Sequence, residues 1–152
     1  MREGVTALLV FHHVEPYNHV ENALDKLAVT MVRARTLAEA RRIMSWRNPP
    51  LLVFTESVLP DGNWADVVSF SRKTPSPVSV VVVGREFGTK LHASAIEMGA
   101  FDFIAPPFDD MDLAHVIRCA GDNALRRRQA AKNDLAVVRQ SFPITHRNRK
   151  SA

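Results

Sequence analysis

Five apolar runs punctuate the first 110 residues of the chain, and stretches with helical spacing separate them. Four of the runs are continuous and rich in β-branched residues, which is typical of strands buried on both faces of a parallel sheet. The run over 28–34 carries Thr30 and Arg33, and this polarity favours a position at the edge of the sheet. The predicted strands are, in chain order, 5–11, 28–34, 51–54, 78–83 and 101–104.

The segments between these strands carry helix start and stop signals. Thr36 with Glu39 three residues later predicts a capping box, and Asp61 or Asn63 is expected to cap the next helix. Gly99 predicts the end of the fourth helix. Strands that alternate with helices imply right-handed crossovers and a doubly wound α/β sheet. The last predicted helix turns five side chains inward: Met111, Leu113, Val116, Ile117 and Cys119.

The composition is that of a globular protein in a reducing compartment. The 152 residues are 46% apolar and 24% charged, and they are enough for one domain with a tail. No apolar run approaches the roughly 20 residues that cross a bilayer, so no membrane contact is expected. The single cysteine excludes an intrachain disulfide and favours a cytoplasmic location.

The positive charge is concentrated at the C-terminal end of the chain. Residues 126–152 contain eight Lys or Arg residues against one acid, whereas the net charge of the whole chain is +4. We therefore predict a domain over 1–122, followed over 123–152 by an extension of the last helix and a basic, disordered tail. The basic run is either a contact for nucleic acid or an acidic partner, or simply a solvated helix face and a frayed terminus.

Two motifs resemble response-regulator receiver domains, the CheY-like family with a flavodoxin-like fold. One is Leu59-Pro60-Asp61-Gly62, similar to the end of the family's D-x-x-L-P-D-G loop. The other is the run from Gly99 to Phe108, G-A-F-D-F-I-A-P-P-F, similar to G-A-x-D-[YF]-[LI]-x-K-P-F. The resemblance covers roughly residues 4–122 and implies a five-stranded parallel (βα)5 domain, here with an extended C-terminal helix.

The resemblance also identifies the positions of the phosphotransfer chemistry. Receivers use an acidic pair for Mg²⁺, an aspartate acceptor, a hydroxyl and a lysine, because the transferred phosphoryl group is highly charged. The acidic pair aligns with His12 and His13, and the acceptor aligns with Glu56. The hydroxyl and lysine positions are Gly84 and Pro106. All five groups differ, so the phosphorylation site is expected to be degenerate.

Glu56 has two interpretations. Its carboxylate either imitates the charge of a phosphorylated state, or it is a tolerated polar residue at a strand end. The family's switch aromatic aligns with Phe103, whose usual hydroxyl partner is replaced by Gly84. An enzymatic alternative, a metal site of His12, His13 and Glu56, suits zinc or copper. Adjacent residues at a strand end point in different directions, so we expect no metal and no cofactor.

The sequence therefore predicts a non-enzymatic, atypical receiver in two-component phosphorelay signalling, which binds partners independently of phosphorylation. The expected partner is a signalling protein, either a kinase or a downstream regulator, and the family's interaction face corresponds to residues 89–119. The thin apolar stripe of residues 120–140 predicts a homodimer. The alternative function is a regulator that binds nucleic acid through residues 126–150.

Overall fold

The computed structural model describes residues 5–141 of the chain. Strands and helices alternate along it, interrupted only by a short antiparallel ladder after the third strand. The elements are β1 (Thr6–Val10), α1 (Val14–Lys26), β2 (Thr30–Ala34), α2 (Leu37–Met44), β3 (Leu52–Glu56), β4 (Val58–Leu59), β5 (Gly62–Asn63), α3 (Trp64–Ser71), β6 (Ser79–Val83), α4 (Thr89–Met98), β7 (Asp102–Ile104) and α5 (Asp110–Ser141).

Five strands form one parallel sheet in the order β2-β1-β3-β6-β7. The predicted doubly wound α/β fold with an extended C-terminal helix is therefore confirmed. β2 lies at the edge of the sheet, as its two exposed polar residues, Thr30 and Arg33, indicated. The order reverses between β1 and β3, and in open parallel sheets such a switch point creates a crevice at the carboxyl ends of the strands.

The strand β6 is buried on both faces, and this burial explains its continuous apolar sequence. Val81 and Val83 pack into a core that includes α1 and α5, whereas Val80 and Val82 pack into a core on the opposite face with α2, α3 and α4. None of the four valines is more than 1% exposed. Since successive side chains of a strand point to opposite faces, a strand covered on both sides can carry no polar alternation.

Three helix ends follow the sequence signals. Thr36 accepts a hydrogen bond from the backbone N–H of Glu39 at the start of α2. Asn63 caps α3 in a complete capping box with Asp66. Gly99 ends α4 in the left-handed region at φ 112°, a conformation that favours glycine.

Asp61 caps a different helix from the one expected. Its carboxylate accepts hydrogen bonds from the backbone N–H groups of Leu37 at 2.7 Å and Ala38 at 3.0 Å. These bonds lower the pKa of Asp61 below its usual value, the Leu37 bond being the largest cause. The loop that carries the receiver-like motif therefore holds the first turn of α2 in place.

Two predictions for α5 were wrong. Met111 is 80% exposed, and Cys119 is only partly buried, with its sulfur 3.5 Å from Nε2 of His115. Leu113 and Ile117 are buried as predicted, and the helix also buries Ala120, Gly121 and Ala124. Met111 is two positions before Leu113, and Cys119 is two positions after Ile117. At 100° per residue both therefore lie about 200° from a buried neighbour.

The C-terminal part of α5 is fastened to the amino-terminal edge of the sheet by two arginines. Arg127 donates to the carbonyl oxygen of Val78 at 2.7 Å, and Arg128 donates to those of Pro77 at 2.6 Å and Pro50 at 3.0 Å. Burial lowers the pKa of both guanidinium groups. These contacts continue past residue 122, so the predicted domain boundary falls inside the docked part of the helix. The expected disordered tail after Ser141 lies outside the described residues.

Candidate functional site

The five positions aligned with phosphotransfer groups all lie at the carboxyl edge of the sheet. His12 and His13 follow β1, Glu56 ends β3, Gly84 follows β6, and Pro106 follows β7. The structure brings two of these side chains into direct contact, those of His13 and Glu56. The edge is therefore a meeting point of four loops, at which the imidazole of His13 and the carboxylate of Glu56 are in contact.

Glu56 is buried, with only 3% of its surface exposed, and both of its carboxylate oxygens are engaged. Oε1 accepts hydrogen bonds from the backbone N–H groups of His12 at 2.7 Å and His13 at 3.1 Å. Oε2 lies 2.5 Å from Nδ1 of the His13 ring. Hydrogen bonds to an ionised carboxylate are stronger than neutral ones, so this group ties the β1–α1 loop to the end of β3.

Arg85 extends this contact to a third loop, and the sequence analysis missed it. Its Nη2 lies 3.3 Å from Nε2 and 3.5 Å from Nδ1 of His13. The only signal for it in the sequence was an arginine two residues after the predicted strand 78–83, since the site was expected from motif positions alone. Glu56, His13 and Arg85 together join the loops after β3, β1 and β6.

The two adjacent histidines do not converge on one point. His12 contributes only its backbone N–H to Glu56, while His13 contributes both backbone and ring. Within residues 5–141, no three His, Cys, Asp or Glu side chains are grouped as metal ligands. The metal-site alternative, which needed both imidazoles and the carboxylate around one ion, therefore has no geometric support here.

Gly84 and Phe103 fit each other sterically. A Cβ atom added to Gly84 would lie 2.5 Å from Cζ of Phe103 and 2.9 Å from Cε2, both far inside van der Waals contact. The Phe103 ring is 3% exposed and packs near the rings of Phe87 and His92. The ring therefore occupies the space that any side chain at position 84 would need.

An open cleft of about 510 Å³ lies beside these residues, between α1 and the loop after β7. Its lining includes Val14, Pro106 and Phe108, and the bond between Pro106 and Pro107 is cis. Arg85 and Glu15 line the same cleft with opposite charges, and Glu56 lies behind His13.

Comparison with known proteins points to one class of protein. RegA of Cereibacter sphaeroides, a photosynthetic apparatus regulatory protein, is 26% identical over 118 residues, covering 77% of this chain and 64% of RegA. The response regulator PilR of Pseudomonas aeruginosa is 30% identical over 105 residues, covering 68% of this chain and 23% of PilR. The chain thus spans less than two thirds of either relative. No protein-family profile matches it.

The fold comparison agrees with the sequence comparison. The signal receiver domain of a LuxO repressor protein from Vibrio parahaemolyticus superposes with a TM-score of 0.71 at 21% identity, covering 79% of this chain and 92% of that domain. The resemblance inferred from the two motifs is confirmed: the chain is a homologue of response regulators and has the receiver-domain fold. Within residues 5–141, no helix is long and apolar enough to span a membrane.

Proposed function

We propose that this receiver-domain homologue is an atypical, phosphorylation-independent receiver, a protein-interaction module of two-component signalling in the cytoplasm rather than an enzyme. One observation carries the proposal. Glu56, which aligns with the phosphoacceptor, is buried and has both oxygens occupied by His12 and His13. A carboxylate in that state is not free to attack a phosphoryl donor.

The surroundings of Glu56 support the same conclusion. Phosphoryl transfer needs positive charge around the transferred group, supplied by Mg²⁺ and cationic side chains. Mg²⁺ prefers oxygen ligands in octahedral geometry, and His12 and His13 offer nitrogen atoms where receivers offer carboxylates. Gly84 has no hydroxyl, and Pro106 has no ammonium group. Among residues 5–141, Arg85 is the one cation in contact with His13, and it reaches Glu56 only through that ring.

We expect no phosphorylation when the full chain is incubated with acetyl phosphate and Mg²⁺. Intact-mass spectrometry measures the outcome, with a receiver that retains its aspartate as the positive control. Glu56→Gln is the matched variant, since it removes the acid while preserving the shape. A stoichiometric, hydroxylamine-labile adduct on the wild-type chain that disappears in Glu56→Gln would show that Glu56 is a phosphoacceptor and would end the proposal.

The interaction face proposed by family analogy runs over residues 89–119. The structure adds Phe87, which is 62% exposed and lies against His92 and Phe103 at the start of this face. The Phe103 ring is packed into the space beside Gly84, and this packing supports a face that keeps one shape. A fixed shape suits a module that binds a kinase or a downstream regulator without first being phosphorylated.

A homodimer through α5 belongs to the same proposal. Beyond Arg128 the described helix makes no hydrogen bond to the body, and Leu135 and Val137 are more than half exposed. Leu135 shares a face with Ala131, four positions earlier, whereas Val137 lies about 200° away. A second copy packing on the Ala131 and Leu135 stripe is the simplest way to cover it.

Sedimentation of the full chain and of a chain ending at Gln129 tests the dimer. This end point keeps Ala124, Arg127 and Arg128, which contact the body, so the shorter chain should stay folded. We expect a dimer that becomes a monomer on truncation. Leu135→Lys should act like the truncation, and Val137→Lys is the matched control. A full-length monomer, or a dimer insensitive to Leu135→Lys, would refute the α5 contact.

A further inference from the structure

Three of the segments that meet at the amino-terminal edge of the sheet, opposite the site described above, carry basic residues and no carboxylate. Residues 40–55 contain three arginines and no acid. Residues 67–84 contain one arginine and one lysine and no acid, and residues 123–133 contain three arginines and one lysine and no acid. Since α2, α3 and α5 all run toward this edge, the ends of these helices and the turns that follow α2 and α3 lie at the same side of the molecule.

The contacts of Arg128 show that two of these segments adjoin each other. Its guanidinium Nη2 lies 3.0 Å from the carbonyl oxygen of Pro50 and 3.3 Å from that of Pro49. This places α5 beside the turn that carries Trp46 and Arg47, three to four positions earlier in the chain. Lys132 follows Arg128 by four positions and therefore lies on the same face of α5.

Some basic side chains at this edge contact other groups of the protein, and others do not. Arg72 donates to the carbonyl oxygen of Met98, and Arg41 lies over the ring of Phe70. Arg42 and Arg47 are exposed, and in the described part of the chain neither side chain has a hydrogen bond or an ion pair. Trp46 stands next to them with 45% of its surface exposed.

The nearest acids do not neutralise the edge. Asp122 and Asp134 flank the basic segment of α5, and Asp25 and Glu97 lie at the C-terminal ends of α1 and α4. None of these carboxylates forms an ion pair within residues 5–141. The turn from 45 to 51, which holds the exposed tryptophan, has no acid of its own.

We propose that this amino-terminal edge binds single-stranded nucleic acid, with Arg42, Arg47 and Lys132 on phosphates and a base stacked on Trp46. Cationic grooves that carry an exposed aromatic side chain are the recurring design for single strands, because every unpaired base offers a face for stacking. A duplex covers its base faces and leaves Trp46 without a role. An acidic peptide would satisfy the cations and likewise leave the indole unused.

This proposed interface does not depend on whether Glu56 is phosphorylated. It also differs from the nucleic-acid alternative drawn from the sequence. That alternative placed the contact on the basic run beyond residue 126. Two arginines of that run, Arg127 and Arg128, instead hold carbonyl oxygens of the body. The structure moves the recognition surface to the α2 turn, which the sequence analysis had not singled out.

Fluorescence anisotropy of a labelled 15-nucleotide oligo-dT with the full chain tests the proposal at 50 and 200 mM salt. We expect binding that weakens with salt. Each lost phosphate contact should reduce the slope of log K against log salt by about 0.7, so Arg42→Gln with Arg47→Gln should reduce it by about 1.4. Trp46→Ala should weaken binding roughly five- to hundredfold, the range of one lost base stack.

The matched control is Arg35→Gln with Lys90→Gln, which removes two exposed cations at the opposite edge and should leave the slope unchanged. Thermal melting verifies that each variant is folded. Four results would overturn the proposal: no binding at 50 mM salt, equal binding of poly-glutamate, binding unaffected by Trp46→Ala, or a slope reduced as much by the control pair as by Arg42→Gln with Arg47→Gln. Equal binding of poly-glutamate would assign the edge to an acidic protein instead.

Discussion

The interior of the sheet and its carboxyl edge are held together by different interactions in this protein. The interior retains what a receiver fold needs, with the four valines of β6 buried on two faces between β3 and β7. At the carboxyl edge, Glu56, His13 and Arg85 form hydrogen-bonded contacts that join the loops after β3, β1 and β6.

This contrast indicates which positions of such a fold tolerate substitution. Core side chains are constrained by volume on every side, and even small changes of shape are costly there. Polar groups at strand ends are constrained mainly by the need for partners, and a new set of partners serves as well as the old one. The hydrogen bonds of Glu56 with His12 and His13 are such a set of partners, and they tie the β1–α1 loop to the end of β3.

Val81→Asp should have the largest effect of any single change. Val81 is fully buried, and an unpaired charge there costs several kcal/mol, comparable with the roughly 5–15 kcal/mol that stabilises a typical domain. We expect an unfolded chain by circular dichroism. Val58→Asp is the matched control, because Val58 is 66% exposed and the same substitution should leave the chain folded. A folded Val81→Asp protein would contradict the two-sided burial of β6.

Glu56→Leu should cost about 2–4 kcal/mol of unfolding free energy, because the N–H groups of His12 and His13 would lose a partly buried acceptor. Urea denaturation measures the loss. In a cluster of acids, removing one carboxylate relieves repulsion and raises the free energy of unfolding. The sign of the change in unfolding free energy therefore distinguishes a hydrogen-bonded Glu56 from a carboxylate in a repelling cluster. Glu86→Leu, an exposed position after β6, is the control and should change stability by less than about 0.5 kcal/mol.

Gly84→Thr should have a smaller effect, about 1–3 kcal/mol, because the new side chain displaces the Phe103 ring from its buried position. Phe103→Leu in the same chain should remove most of that cost, so the two substitutions are expected to be non-additive. Gly88→Thr is the matched control, since its added Cβ meets nothing closer than Leu91 at 4.0 Å. Additive effects of the first two substitutions would show that the ring and position 84 do not compete for space.

The sequence predicted the fold well because its signals are local or periodic. The β-branched runs, the glycine at 99 and the cap at Thr36 act within a few residues, and the structure confirms each of them. Inward faces were predicted less well. Met111 was assigned to the core because it is apolar, although its angle on the helix opposes that of Leu113.

Contacts between distant loops were beyond the sequence analysis. It placed His13 and Glu56 at one edge but could not pair them, since a strand end fixes a position and not the direction of a long side chain. The bonds from Arg127 and Arg128 to carbonyl oxygens were missed for a related reason. A basic run has the same appearance in a sequence whether its side chains face solvent, nucleic acid or the backbone of the same chain.

The arginine contacts of α5 give the helix a fixed angular setting as well as an anchor. Arg127 and Arg128 engage neighbouring carbonyl oxygens, so the helix cannot turn about its own axis without breaking both sets of bonds. From there to Ser141 the helix is continuous. Each residue inserted after Gln129 would rotate Leu135 by 100° and shift it by 1.5 Å, and four residues would bring it back to within about 40°. The contacts of Arg127 and Arg128 with the body therefore determine which way Leu135 faces.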